Sequence, residues 1–200
     1  MRIYLIIFTN LLPFFLFSQY NFSADVQISD ISTGYERPRI TLTANDIPVV
    51  IWYKDGTDHS LMFSRGNGFG SFNPPIELVD HDFEPTGFIG PEIASQGDTL
   101  YIVFICGAAN NSVMLKRSFD GGVTFSDTIR VSPFDNSIYS MPNIELNDDG
   151  NPIVSYMKCT QNYTDWKQII RVSPDLGMNF YPEVNASQFT PGEPCDCCKS

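Results

Sequence analysis

Apolar runs alternate with turn residues along this 200-residue chain, and three of the runs begin with the same signature. The signature is a proline followed two positions later by an isoleucine: Pro38-Arg-Ile40, Pro91-Glu-Ile93 and Pro142-Asn-Ile144. The prolines lie 53 and 51 residues apart (91 − 38 and 142 − 91). After each signature come a turn and a run rich in β-branched residues, which closes on Trp52, Phe104 or Tyr156. Each signature therefore predicts two strands joined by a turn.

Two further strands follow each pair. Third strands are predicted at 60–63, 112–115 and 166–170, and fourth strands begin at Ile76, Ile129 and Val184. Four short strands in a repeat of roughly 53 residues are typical of a β-propeller blade. A β-sandwich also has short strands, but it has no reason to repeat these signatures in a fixed order. We therefore predict an all-β fold with about three four-stranded blades of a partial propeller.

An eight-residue turn motif joins the third and fourth strands of the second and third repeats. Its skeleton is Ser-x-Asp-x-Gly-x-x-Phe, and the two copies begin 55 residues apart (173 − 118). We expect Ser and Asp to bond to the turn backbone, Gly to supply a positive φ, and Phe to anchor the turn on the core. The residues are Ser118, Asp120, Gly122 and Phe125 in one copy and Ser173, Asp175, Gly177 and Phe180 in the other. A degenerate copy runs from Ser64 to Phe72, with Asn67 in place of Asp.

These patterns divide the chain into six segments. They are a signal peptide at 1–18, an N-terminal strand or linker at 19–35, blades at 36–80, 86–133 and 138–185, and a Cys-rich start of a further blade or tail at 186–200. Closed propellers have about four to eight blades. We therefore expect the chain to be the N-terminal part of a longer protein; a short form that completes itself by oligomerising is the alternative.

The N-terminal segment and the charge indicate an exported protein. Residues 1–18 combine one arginine, a short apolar run and a small residue at the exit, as secretory signal peptides do. No later stretch is long and apolar enough to span a membrane, so we expect a secreted, cell-surface or periplasmic protein with no span after signal removal. The formal net charge of −11 argues against nucleic acid as a partner, because nucleic acid binds basic patches.

Five cysteines are present: Cys106, Cys159, Cys195, Cys197 and Cys198. Export favours disulfides, and the sequence leaves their connectivity open. The C-terminal three have the density of a soft-metal ligand set, but adjacent cysteines do not easily share one tetrahedral ion and no histidine lies nearby. We therefore predict neither a metal site nor a cofactor.

The Ser-x-Asp-x-Gly-x-x-Phe motifs and their spacing resemble the Asp-box, or BNR repeat, of the sialidase-like β-propeller family. The resemblance covers roughly residues 36–185. It implies a propeller, usually six-bladed, whose enzymes hydrolyse terminal sialic acids. In those enzymes three arginines hold the substrate carboxylate, an aspartate is the acid/base, and a tyrosine assisted by a glutamate is the nucleophile. It also implies that the Asp-boxes are structural turns at the periphery.

Two candidate site residues follow from the resemblance. The first arginine of the family lies in an Arg-Ile-Pro motif on the first strand of blade one. In this chain Arg39 precedes Ile40 without the following proline, so Arg39 is the candidate carboxylate clamp and Arg37 the second choice. Asp58 matches the placement of the acid/base, with Asp55 the alternative. The plainer interpretations are that Arg39 only flanks the repeat proline and that 55–58 forms a polar turn.

The remaining catalytic residues of the family have no clear match in this chain. We therefore expect an exported sialidase-like propeller that belongs to an exo-α-sialidase but lacks a complete catalytic set. The alternative is a non-catalytic glycan- or protein-binding adhesion module built on Asp-box blades. Under either hypothesis the expected partner is a glycan or a cell-surface protein.

Overall fold

A computed structural model describes residues 24–29, 34–54, 59–68, 70–80, 90–107 and 111–188. The described part of the chain is all-β and consists of three four-stranded antiparallel sheets. This confirms the prediction of four strands in each of three repeats. The predicted signal peptide and the three C-terminal cysteines lie outside the described residues.

Each sheet is built from four strands that are consecutive in the chain. Sheet I contains β1 (Tyr35–Leu42), β2 (Pro48–Lys54), β3 (Ser60–Arg65) and β4 (Ile76–Val79). Sheet II contains β5 (Glu92–Gln96), β6 (Thr99–Cys106), β7 (Ser112–Ser118) and β8 (Ile129–Arg130). Sheet III contains β9 (Ile138–Leu146), β10 (Pro152–Cys159), β11 (Lys167–Val172) and β12 (Val184–Asn185). Strand order equals chain order in every sheet, as short turns between neighbours require.

The first strands of the three sheets stand side by side and run in the same direction. Hydrogen bonds join Arg39 to Glu92 and Thr41 to Ser95 between β1 and β5. Farther along, Gln96 donates to the carbonyl of Asp148, which follows β9. Higher-numbered residues of one strand contact higher-numbered residues of the next, so the three strands run in the same direction. β1, β5 and β9 therefore all begin at one end of the array. We call it the strand-start end.

Two apolar clusters hold the sheets together. Between sheets I and II, a row that includes Ile51 and Phe63 packs on a row that includes Phe104. Between sheets II and III, a row that includes Val103 packs on a row that includes Tyr156. Phe104 and Tyr156, the aromatics that close the repeated runs, are each 1% exposed. These two repeat aromatics are therefore core residues at the interfaces between sheets, where burial of this size gives most of the stability.

Candidate functional site

The predicted clamp residue lies at the strand-start end, in an ion pair that joins sheets I and II. The Nε of Arg39 donates to both carboxylate oxygens of Glu92 at 2.8 Å, and its Nη2 lies 2.6 Å from Oε1. Glu92 holds the same position in its own repeat, because Arg39 pairs with Ile51 and Glu92 with Val103. The hydrogen bond that Arg39 donates to Glu92 raises the pKa of Arg39. This guanidinium is therefore positioned to bind a carboxylate, and Glu92 supplies one.

Arg37 lies two residues earlier, at an irregular point in β1. The pairing of β1 with β2 shifts register between Glu36 and Arg39, and Arg37 has φ 58°. The Arg37 side chain is 18% exposed. It packs so closely on Gly90 that a Cβ at Gly90 would clash with the Arg37 Cβ. Met141 repeats the arrangement in sheet III, with φ 51° before the third signature proline. Bulges of this kind redirect side chains and are frequent beside binding sites.

Asp58 and Asp55 lie outside the described residues, so their roles stay predictions. The connection 55–58 follows β2 and precedes β3, which places its two described ends at the strand-start end. There the Tyr53 hydroxyl and His59 Nδ1 are 2.6 Å apart.

A polar network in sheet III was not predicted from the sequence. Lys158 Nζ donates to Asp135 Oδ2 at 2.9 Å and to Glu183 Oε2 at 2.6 Å. The Tyr139 hydroxyl donates to Asp135 at 2.7 Å, and the Tyr156 hydroxyl donates to Glu183 at 2.8 Å. Tyr139 pairs with Lys158 between β9 and β10, so the network also lies at the strand-start end. The only sequence signal was the presence of polar residues where these strands begin and end.

The network fixes the protonation states of its members. Burial raises the pKa of Tyr156, and the hydrogen bond to Glu183 raises it further. Burial likewise raises the pKa of Tyr139, with a further contribution from Asp135. Although burial alone would raise it, the pKa of Asp135 is lowered because Tyr139 and Lys158 donate to its carboxylate. Both phenols are thus held neutral, which makes them poor nucleophiles as they stand.

The Asp-box side chains make the turn contacts that their sequence predicts. Asp120 Oδ1 accepts from the Ser118 hydroxyl and from the backbone of Val123 and Thr124, while Oδ2 accepts from the Thr124 hydroxyl. The Ser118 hydroxyl in turn accepts from the Gly122 backbone at 2.9 Å. These bonds are all local to the turn, so this box is architecture rather than a ligand site.

The second box repeats the pattern. Asp175 accepts from the Ser173 hydroxyl and from the backbone and side chain of Asn179, and Ser173 accepts from the Gly177 backbone at 2.8 Å. Gly122 and Gly177 have φ 87° and 81°, in the region that favours glycine. The predicted roles of Ser, Asp and Gly are found in both turns.

Each Asp-box also fastens its sheet to the preceding one. A Cβ at Gly177 would lie 2.9 Å from Leu115 Cδ2 and 3.2 Å from Tyr101 Cε1, both in sheet II. Phe125 makes an edge-to-face contact with Phe63 of sheet I, with ring centroids 5.0 Å apart. An arginine of the preceding sheet also donates to the backbone of each box. Arg65 donates to the Gly121 carbonyl, and Arg117 donates to the Leu176 carbonyl. The boxes are thus fasteners between neighbouring sheets.

The first repeat differs from the sequence alignment. Gly66 donates to the carbonyl of Pro48, as Ser173 donates to that of Pro152, so Gly66 and not Ser64 occupies the position of the box serine. Ser64 lies inside β3, where its hydroxyl donates to the Asn73 carbonyl. Asn67 donates to the Ser71 hydroxyl and closes a local turn of its own. The alignment went wrong because the turn in this repeat is shorter, which moves its first residue along the chain.

The Asp120 contacts predict a loss of stability in acid. Hydrogen bonds, first of all from the Thr124 hydroxyl, lower the pKa of Asp120 to about 2, while an unfolded aspartate titrates near about 3.9. The stabilisation is therefore complete above about pH 4 and is lost as the pH falls toward about 2. We expect Asp120→Asn to flatten the wild-type decline in the urea unfolding midpoint between these pH values. Asp149→Asn, at an exposed turn, should leave the decline unchanged; an equal effect of both would contradict the assignment.

The remaining sequence predictions concern cysteines, metals and membranes. Cys159 is buried, and burial raises the pKa of its thiol to about 11. Within the described ranges, no group of three or more His, Cys, Asp or Glu side chains is arranged to hold a metal ion. No helix among the described residues is long and apolar enough to cross a membrane.

Comparisons by sequence give no relatives: no protein-family model matches the chain, and no curated protein matches it. Solved structures do match its fold. A Dyadobacter fermentans protein of unknown function aligns with TM-score 0.56 and 13% identity, over 76% of this chain and 50% of that one. An α-L-arabinanase from Penicillium chrysogenum, complexed with arabinobiose, gives 0.51 and 18%, over 74% and 48%. A Hadza microbial sialidase gives 0.52 and 18%, over 74% and 37%.

These comparisons define a fold class. The three sheets align with part of the fold of this arabinanase and with part of the fold of this sialidase. The chain spans half or less of the length of each of these structures. At these identities the likeness concerns the fold alone, and the chemistry has to be argued from the chain's own residues.

Proposed function

We propose that the chain forms three blades of an exported sialidase-like β-propeller that recognises a glycan carrying a carboxylate, as part of an exo-α-sialidase. The observation that carries the proposal is the Arg39–Glu92 pair. The Arg39 guanidinium donates hydrogen bonds to both oxygens of one carboxylate, and a sialic acid carboxylate requires the same geometry. Arg39 is 38% exposed at its side chain, so a ligand can reach it.

In this proposal the Glu92 carboxylate binds Arg39 in the absence of a glycan, at the position that the glycan carboxylate would take. A substrate carboxylate replaces the Glu92 carboxylate on Arg39, while Arg37 stands close by on the same strand. Asp58, in the connection after β2, would supply the proton for the leaving oxygen. The further arginines, the tyrosine and its glutamate belong to parts of the enzyme that these three sheets do not provide.

Variants of Glu92 and Arg39 test the proposal. Glu92→Gln keeps the shape and removes the competing charge, so we expect about tenfold tighter binding of sialyllactose by calorimetry. Arg39→Ala should weaken that binding by about tenfold or more, and lactose should respond to neither change. Lys54→Ala, which breaks an exposed pair with Glu77, is the matched control. Unchanged sialyllactose binding in both Arg39→Ala and Glu92→Gln would refute a ligand role for this pair.

Hydrolysis separates the enzyme from the second candidate function. A non-catalytic glycan- or protein-binding module is favoured by one observation, the neutralisation of Arg39 by Glu92, which suits a neutral ligand. The enzyme predicts turnover of a fluorogenic sialoside by the longest natural product of the gene, and loss of turnover in Arg39→Ala and Asp58→Asn. Glycan binding without turnover would favour the binding module instead.

A further inference from the structure

Two loops at the strand-start end of sheet III carry exposed aromatic side chains. Loop 133–137 precedes β9 and loop 160–166 follows β10, which ends beside the start of β9. Phe134 is 89% exposed in the first loop, and Tyr163 is 64% exposed in the second. We call these two loops the aromatic loops. Apolar side chains exposed close together on a surface are a mark of binding sites.

The aromatic loops are held to each other by hydrogen bonds next to the two rings. Gln161 Nε2 donates to the Asn136 carbonyl at 2.7 Å. Lys158, at the end of β10, donates to Asp135 Oδ2 at 2.9 Å. Asp135 and Asn136 directly follow Phe134, and Gln161 lies two residues before Tyr163. The two rings therefore belong to one surface.

The backbone that carries the Tyr163 ring is fixed. Tyr163 has φ 56°, which a bulky residue adopts only where the surrounding structure holds it there. Its amide donates to the Thr160 carbonyl at 3.0 Å, and its carbonyl accepts from the Trp166 indole at 3.0 Å. Strained backbone of this kind clusters at binding sites. A ring presented from a fixed backbone also loses less entropy when a ligand binds.

The Phe134 ring is supported on one face by Arg130. The guanidinium of Arg130 lies over the ring, 4.2 Å from its centroid. The same guanidinium donates to the Ser132 carbonyl at 3.0 Å and to the Pro133 carbonyl at 2.9 Å, so its position is fixed by the backbone of the loop. With this support on one side, the ring presents its other face to a ligand.

Charge pairing within the aromatic loops disfavours a charged ligand. The two carboxylates of these loops are both in ion pairs, Asp135 with Lys158 and Asp165 with Lys167. The Arg130 guanidinium is already engaged by the ring and by two carbonyls. A cationic or anionic ligand would therefore have to displace an existing partner, whereas an uncharged ligand would not.

Uncharged polar side chains surround the two rings. The exposed amides and hydroxyls of the aromatic loops belong to Asn136, Gln161, Asn162 and Thr164. Amides and hydroxyls donate and accept hydrogen bonds without a charge. A pyranose matches this combination, because its C–H groups form an apolar face that packs on an aromatic ring and its hydroxyl groups point outward from the edge of that face.

We infer that the aromatic loops form a binding site for a neutral sugar residue, separate from Arg39. The C–H face of the sugar packs on the rings of Tyr163 and Phe134, and its hydroxyl groups bond to the amides beside them. The inference goes beyond the proposed function, because its ligand has no carboxylate and its residues lie on sheet III.

The indole signals in a nitrogen–proton correlation spectrum test this inference, with lactose as the probe. The chain has two tryptophans. The indole of Trp166 donates within an aromatic loop, whereas Trp52 is 3% exposed in sheet I. The Trp166 signal is identified by its absence in Trp166→Phe. Titration with lactose should shift the Trp166 signal and leave the Trp52 signal in place.

Variants of the two rings give the expected change in affinity. Tyr163→Ala and Phe134→Ala should each raise the dissociation constant of lactose at least about tenfold, while Tyr163→Phe, which keeps the ring, should stay within about twofold of wild type. Phe119→Ala is the matched control. Phe119 is 51% exposed and also lies under an arginine, Arg117 at 5.2 Å, but it follows the end of β7 that is opposite to the strand-start end. It should leave the affinity unchanged.

Three outcomes would overturn the inference. The first is a Trp166 signal that does not move with lactose, or that moves equally with glycerol. The second is an unchanged lactose affinity in both Tyr163→Ala and Phe134→Ala. The third is loss of lactose binding in Arg39→Ala, which would place the sugar at Arg39 instead. None of these results decides whether sialyllactose binds Arg39, so the inference and the proposed function can fail separately.

Discussion

Replacing Gly122 with alanine should lower the free energy of unfolding by about 3 kcal/mol. Gly122 has φ 87°, and a left-handed conformation costs a residue with a Cβ roughly 1–2 kcal/mol. A Cβ there would also run into the Phe63 ring, which is 2% exposed and held in place by Phe125. Overpacking of this kind costs roughly 1–3 kcal/mol more. Urea unfolding followed by tryptophan fluorescence measures the total.

Gly97→Ala provides the matched control for the contact. Gly97 lies in the turn between β5 and β6, has φ 60°, and nothing lies within 4 Å of where its Cβ would be. It should therefore show the backbone cost alone, about 1 kcal/mol. If Gly122→Ala costs no more than Gly97→Ala, the Asp-box does not fasten sheet II to sheet I as described.

Replacing Lys158 with methionine should cost about 2 kcal/mol at neutral pH. Methionine keeps most of the length and packing of lysine, but it leaves the carboxylates of Asp135 and Glu183 facing each other without their shared cation. Both carboxylates are partly buried, at 37% and 20% exposure, so water replaces the lost partner incompletely. Chemical unfolding of the two proteins measures the difference.

The pH dependence of that difference identifies its cause. Lys158 and Tyr139 lower the pKa of Asp135 in the wild-type protein, so the network stabilises the fold above the unfolded pKa and loses this contribution in acid. The deficit of Lys158→Met should therefore shrink as the pH falls below about 4. Lys167→Met, which removes the exposed partner of Asp165, should cost less than about 1 kcal/mol. A deficit independent of pH would point to lost packing instead of lost charge pairing.

The repeated architecture could be predicted from the sequence because its signals are local. The alternation around Pro38, Pro91 and Pro142 fixes strand pairs, and the Ser-Asp-Gly turns need only residues within eight positions of one another. Strand starts and the Asp-box contacts were accordingly predicted well. In the first repeat, the sequence placed the start of the turn at Ser64, two positions before Gly66, which occupies that position in the structure. The error arose because this shorter turn has no serine at its first position.

The contacts between repeats were beyond the sequence signal. Arg39 and Glu92 are 53 residues apart and hold equivalent positions, so their pairing depends on how two sheets pack. The network around Lys158 likewise depends on Glu183, which reaches it from 25 residues away. Positive φ at Arg37 and Met141 also has no residue signature, because neither is glycine and both precede proline. Such features follow from three-dimensional packing and not from periodicity.

The Arg39–Glu92 pair connects the architecture with the proposed chemistry. It lies where two sheets meet, so it contributes to their alignment in the absence of a ligand. It also lies on the first strands of two neighbouring sheets, where Arg39 pairs with Ile51 and Glu92 with Val103. One exchange of carboxylates on Arg39 would therefore convert a contact between sheets into a contact with a glycan.

The signal of the Arg39 Nε–H group in a nitrogen–proton correlation spectrum tests this claim most directly. The signal can be assigned by its absence in Arg39→Lys, which retains the charge. Titration with sialyllactose should shift it to a new position, and Glu92→Gln should show the same end point at a lower ligand concentration; lactose should leave it in place. An Arg39 signal that does not move at saturating sialyllactose, in the wild type and in Glu92→Gln alike, would contradict the account.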